Sequence, residues 1–274
     1  MFLAHSNDLA VNDYKPLGQY NKKTTLVKTK DRVFMNSNVC PHQFSVLSDK
    51  QGSGDRVCPY HNWTFDINGN PVNSGRTLHI CENKKPLVEM SVHEFKNMLF
   101  NKELACPELE WLDLSRMQLK EERVDFVKAD PKIIMDVFLD VDHIEAVHTG
   151  VYDKIGFSTI DQVKWHYYDW GTIQMVSKGQ ECGAIWLSVY PGTMIEWQQG
   201  ALFITVATAC VGGSNVHVFK YSDAEDSWQI NEEVWETAWA QDKELAERIV
   251  SFGNKNLEES KQHFRDWLKS NGHP

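Results

Sequence analysis

Several things are scarce in this 274-residue chain, and each scarcity excludes something. Positive charge is short: 28 Lys and Arg stand against 38 Asp and Glu, a formal balance of −10. Without a cationic surplus to neutralise phosphates, neither nucleic acid nor a membrane surface is expected as a main partner. Long apolar runs are lacking as well. The longest mostly apolar stretch, Ala201 to Val211, is too short to span a bilayer. Met1 to Ala10 carry no basic start and no long apolar segment, so no signal peptide is expected and the chain reads as cytoplasmic. Cysteine is sparse, six in all, which is too few for a disulfide scaffold. Cys81, Cys106, Cys182 and Cys210 are scattered and read as inert thiols. There are no internal repeats and no low-complexity tracts.

What is present suits two globular domains, at roughly 150 residues each. From Thr24 to Val92 the chain reads as short strands cut by turns, with Asn68-Gly69 as a hairpin signal. Met98 to Phe100 closes this small β-domain, and the charged stretch Asn101 to Arg123 is the boundary region. The expected division is 1–105 and 106–274. Asp130-Pro131 then starts a helix, with Asp as N-cap, running to about Thr149-Gly150. Six strands follow between Val163 and Tyr221, then helical spacing from Gln229 to Val250 and from Lys255 to Leu268. Helix, meander and long C-terminal helix make the second part α+β.

Cys40-Pro41-His42 is followed by 15 residues and then Cys58-Pro59-Tyr60-His61. Two Cys and two His can hold zinc, but zinc fingers tend to keep cysteines together and histidines together. The string resembles the Rieske 2Fe-2S motif, in which two thiolates hold one iron and two imidazoles the other. Rieske proteins of respiratory cytochrome complexes add a cysteine to each loop. Here those positions are Ser45 and Tyr60, which argues against that branch. Gln43 and Asn62 stand where family members often have Arg and Gly.

Further on, Asp136, Asp140 and His143 fall on one stripe of the expected helix, with His148 on the same broad side. Two His with nearby carboxylates suit a facial triad that leaves positions open on Fe(II). Along Gln229 to Val250 the stripe Trp235, Trp239, Asp242, Ala246, Ile249 is apolar except for Asp242. A lone carboxylate there needs compensation, which a divalent iron would supply. Glu236 and Glu244 are the alternative third ligands.

Together these elements resemble the Rieske non-haem iron oxygenases, whose catalytic domain carries Asp-x-x-His-x-x-x-x-His. The family's neighbouring elements appear here, altered, as Asp130-Pro131-Lys132 and Met135-Asp136. The resemblance implies an all-β Rieske domain followed by a helix-grip catalytic domain, an antiparallel sheet wrapped on a long helix. It implies a 2Fe-2S cluster on Cys40, His42, Cys58 and His61, and mononuclear Fe(II) on His143, His148 and Asp242. Asp140 would link His143 to His61 of a neighbouring chain, in a ring-like homotrimer. The implied activity is that of a terminal oxygenase fed by a ferredoxin or flavin reductase, using O₂ for hydroxylation, cis-dihydroxylation or oxidative demethylation. Two other readings stay open: an electron-transfer protein fused to an iron-free ligand-binding domain, and a zinc-stabilised interaction domain. Eight of the ten tryptophans lie at or beyond Trp165, which suits a cavity for an aromatic or other apolar small molecule. The same residues would also serve a quaternary ammonium by cation–π contact.

Overall fold

The computed structural model describes residues 1–72, 85–156, 163–178, 181–198, 200–223, 228–252 and 259–271. It divides into two compact units, Phe2–Ser115 and Arg116–Pro274 together with Met1. Residues 106–115, expected with the second part, pack with the first. Leu109, Leu112 and Leu114 are buried there, and the Leu114 carbonyl lies 3.0 Å from Nε2 of buried His5. Cys81 lies outside the described residues.

The first unit is all β. Its strands are β1 (Phe2–His5), β2 (Asp13–Pro16), β3 (Thr24–Lys28), β4 (Val33–Ser37), β5 (Gly52–Ser53), β6 (Arg56–Val57), β7 (Thr64–Phe65), β8 (Pro71–Val72), β9 (Glu89–Met90), β10 (His93–Phe95) and β11 (Met98–Phe100). They form a five-stranded sheet in the order β5-β2-β3-β4-β9 and two three-stranded sheets, β6-β7-β8 and β1-β11-β10. Asn68-Gly69 closes the β7–β8 hairpin as expected. Gly69 sits at φ +86°, a conformation that side chains resist.

The second unit is one seven-stranded antiparallel sheet with helices. Its strands are β12 (Gln118–Val127), β13 (Val163–Tyr168), β14 (Gly171–Lys178), β15 (Glu181–Val189), β16 (Thr193–Gln198), β17 (Ala201–Cys210) and β18 (Gly213–Ser222), in the order β12-β18-β17-β16-β15-β14-β13. Strand β12 is a correction, because it falls largely in the stretch expected to be irregular. Its inward alternation is carried by charge: Glu121, Arg123 and Asp125 point to partners on β18 and the long helix. An apolar period-two pattern is what sequence reading finds.

The helices are α1 (Pro131–Phe138), α2 (His143–Val147), α3 (Trp228–Phe252) and α4 (Glu259–Ser270). Asp130 caps α1, its Oδ1 accepting from the Lys132 N–H at 2.9 Å. The single helix expected to Thr149 is in fact broken, with α1 ending at a Leu139 cap and α2 starting at His143. Asp140 therefore lies in the break. One cross-strand row runs Gln174, Trp186, Glu196, Phe203, Lys220 from β14 to β18. It faces α3, whose Trp235 stacks on Phe203 at 5.1 Å, while Val234 and Ala238 pack with Trp186. Among the described residues no helix is long and apolar enough to cross a membrane.

Candidate metal centres

Two loops of the first unit repeat one backbone turn. The Cys40 N–H donates to the Ser45 carbonyl (2.8 Å) and the Phe44 N–H to the Cys40 carbonyl (3.0 Å). In the second loop Cys58 donates to Trp63 (2.7 Å) and Asn62 to Cys58 (2.9 Å). The fourth residue after each cysteine is left-handed, with φ 56° at Phe44 and 58° at Asn62. Asn62, at the position where the resemblance implied Gly, takes this conformation, which Asn tolerates better than most residues. The two thiols are free, buried and hydrogen-bonded to one another, in a small core with Leu47, Trp63, Phe65 and Leu87. Burial pushes the Cys40 thiol up, and the adjacent Cys58 adds to this, while the backbone N–H groups of His42 and Gln43 oppose it. Those N–H groups would serve a thiolate whatever side chain residue 43 carries. The imidazoles of His42 and His61 are half-buried, with centroids 4.7 Å apart, and His42 stacks on Trp63 at 4.6 Å. Two thiols inside and two imidazoles toward the surface fit a Rieske cluster.

In the second unit, the helix break shapes the other centre. The Asp140 carbonyl receives Nδ1–H of His143, and Gln241 Oε1 receives Nδ1–H of His148 at 2.7 Å. Each ring so tied presents an Nε2 lone pair inward. The two Nε2 atoms are 2.9 Å apart, and Asp242 Oδ1 lies 3.1 Å from His143 and 3.0 Å from His148. Three acceptors facing one another repel unless a cation or proton sits among them. Octahedral ligands at about 2.1 Å and right angles stand about 3.0 Å apart, so the trio matches the face of a metal site. Burial lowers the His143 pKa, but the Asp242 hydrogen bond and charge outweigh it, leaving a net rise. Burial raises that of Asp242, and the two imidazoles bring it down overall.

The other carboxylates have different work. Glu236 pairs with Arg123 (2.5 Å) and with Lys220, and exposed Glu244 pairs with Arg248. Asp136 pairs with Arg265 at 2.6 Å. Asp140 Oδ2 accepts from buried Lys261 on α4 at 2.7 Å, while Oδ1 takes the His143 backbone N–H at 3.3 Å. The contact with the His143 ring thus comes from the Asp140 backbone, where the resemblance implied the carboxylate.

Beside the trio is a small cavity lined by Ile134, Val137, Phe138, Met194, Glu196, Thr205, Trp239 and Asp242 among others. Glu196 escaped sequence reading, although a lone acid between Ile195 and Trp197 on a strand with apolar residues on both faces is the signal. Its Oε1 accepts from the Trp235 indole N–H at 3.0 Å. Burial and the nearby Asp242 carboxylate push it up to about 8, against the pull of Trp235 and His148. Most of the tryptophans are packing residues. Trp165, Trp228, Trp235, Trp239 and Trp267 belong to one core cluster.

The Rieske [2Fe-2S] domain family matches residues 1–81. Putrescine 2-hydroxylase of Ralstonia nicotianae is 23% identical over 316 residues, covering 94% of this chain and 85% of that protein. The carnitine monooxygenase oxygenase subunit of Acinetobacter baumannii is 27% identical over 185 residues, 60% of this chain and 49% of its own length. In fold, the chain resembles the quaternary ammonium Rieske monooxygenase CntA solved with L-carnitine. The TM-score is 0.78 at 19% identity, over 100% of this chain and 88% of that one. The chain thus carries a Rieske [2Fe-2S] domain match at its N-terminus and, along its whole length, the fold of a Rieske monooxygenase.

Proposed function

We propose that Cys40, His42, Cys58 and His61 hold a 2Fe-2S cluster in the first unit, and that His143, His148 and Asp242 hold mononuclear Fe(II) in the second. The chain is then the terminal oxygenase of a multicomponent system acting on a small molecule. The observation that carries this reading is the convergence of two Nε2 lone pairs and one carboxylate oxygen, each ring locked from behind. When bound, the metals supply one-electron transfer and O₂ activation for hydroxylation, cis-dihydroxylation or oxidative demethylation. The protein's part is to fix both His tautomers through the Asp140 carbonyl and Gln241, and to hold beside the trio a cavity that is mainly apolar, with Glu196, Thr205 and Lys243 as polar members of its wall.

Electrons come from a ferredoxin or flavin reductase, and a cytoplasmic location goes with that supply. Exposed Phe44 and Tyr60 flank the half-buried His42 and His61 and suit a docking tip. CntA is described with inter-subunit electron transfer. In the same way, Asp140 of one copy would meet His61 of the next in a homotrimer. Visible and EPR spectra of purified protein, with iron and acid-labile sulfide counted per chain, test the reading. The expected result is a Rieske signal plus one further iron. Zinc without labile sulfide overturns it.

A further inference from the structure

Glu196 is a half-buried acid whose hydrogen bond to the Trp235 indole N–H uses one of its two oxygens. It sits mid-sheet on β16, in the row that faces α3, and lines the cavity together with Asp242. Among the described residues it forms no ion pair. The two cations nearest Trp235, Arg123 and Lys220, lie over that indole at 5.8 and 5.7 Å and are engaged by Glu121 and Glu236. Lys243 also lines the cavity, but it is engaged by Asp125 at 3.5 Å and lies over Trp239 at 5.7 Å. The half-buried Glu196 carboxylate therefore has no paired protein cation, and a ligand's positive charge can satisfy it. Its setting is polar as well. On the same face of the sheet, both head-group atoms of Gln174 and of Gln198 are buried without a hydrogen-bond partner among the described residues, as is Ser188 Oγ. The two glutamines are 1% and 2% exposed. Gln174 shares the cross-strand row of Glu196, and Gln198 is two residues along its strand.

The aromatic surroundings decide what sort of cation fits. Trp235 turns its N–H edge to Glu196 and stacks its face on Phe203, with interplanar angle 9°. Trp239, which lines the cavity, stacks on Trp235 at 5.9 Å and carries the Lys243 ammonium over its ring at 5.7 Å, so its π-system is already engaged. A trimethylated ammonium has no N–H to give and needs open π-faces. An ammonium with N–H bonds suits a carboxylate and amide oxygens.

We propose that Glu196 is the specificity-determining residue of the substrate cavity, reading a primary or secondary ammonium group on a short aliphatic substrate. This rests on the cavity beside His143, His148 and Asp242 being the substrate site. It adds the substrate's charge class and the residue that selects it.

Calorimetric titration of the anaerobic, metal-loaded protein tests it without turnover, using butylamine, putrescine, butanol and butyltrimethylammonium as probes. The amines are expected to bind at least about tenfold more tightly than butanol or the trimethylated ion. In Glu196→Gln that preference disappears while butanol binding is unchanged, and Glu196→Asp restores part of it. Equal affinity for butylamine and butanol, no heat with either amine, tighter binding of the trimethylated ion, or an undiminished amine preference in Glu196→Gln overturns the assignment. If Glu196→Gln does not fold, the wild-type probe series decides alone. Iron content and the Rieske signal are measured on the same samples, so loss of the functional reading is seen separately from loss of this one.

Discussion

Cys40, His42, Cys58 and His61 are presented by two copies of one short turn, each closed by its own backbone hydrogen bonds. His143 and Asp242 stand 99 residues apart and meet only because α3 packs back across the sheet. One centre is a product of local loop geometry, the other of tertiary packing. Damage therefore propagates differently. A change in the core of the second unit should loosen the trio while leaving the cluster turns as they are, and the reverse holds for the loops.

The largest effect expected from separating the two is in Asp242→Ala. It should remove mononuclear iron and all product formation while keeping the cluster spectrum. An Asp242→Ala protein with full iron and normal turnover would end the ligand assignment. Asp140→Ala comes next. The His143 ring is held by the residue-140 backbone, so both metals should stay bound while single-turnover electron delivery fails. An emptied iron site would instead make Asp140 part of the ligand set. Gln241→Leu should then weaken iron binding by about 10–100-fold, because His148 loses the acceptor that fixes its tautomer. Iron retention against a chelator measures this, and Gln241→Glu should rescue it.

Smaller effects concern stability. Burial raises the pKa of Glu121 and Glu236, but Arg123 and Lys220 more than reverse this and hold both below the usual carboxylate value of 4.5. The stabilisation is complete above that unfolded-state value and is lost as the pH falls through the lower folded one. These side chains are 35% and 38% exposed, so solvent screening limits each to about 1 kcal/mol or less. Urea unfolding below neutral pH should show a shallower acid loss in Glu236→Gln. Finally, Phe44 is 79% exposed at φ 56°. In Phe44→Gly, relief of the left-handed penalty less glycine's entropy should stabilise the first unit by about 0.5 kcal/mol.

The same contrast governs what could be read from the sequence. The proposed cluster ligands are legible because a local turn leaves a local motif. The strands from Val163 to Tyr221 were legible because their alternation is apolar. Strand β12 was hidden because its inward positions carry charge, and the α1–α2 break because Asp136, Asp140 and His143 keep helical spacing across it. Asp242 stood out as the one acid on an apolar stripe. The role of Gln241 as His148's acceptor depends on a contact 93 residues away, which no spacing rule supplies. Glu196 required the sheet register before its row and its neighbours could be named.

The attachment of Asp140 to Lys261, and of Asp136 to Arg265, ties the helix-break region to the last described helix of the chain. Followed along the ribosome, this sets an order of completion. A nascent chain that has emerged as far as Ser115 already carries all four cluster ligands and the whole of the unit that holds them. The second centre gains its carboxylate only at residue 242, and the segment carrying Asp140 gains its tether only at residue 261. Truncating the chain just before α4 would yield a molecule with every proposed metal ligand and an untethered relay residue. Cluster delivery to the first unit can run ahead of synthesis, whereas the proposed second centre waits for residue 242 and the anchoring of Asp140 for residue 261.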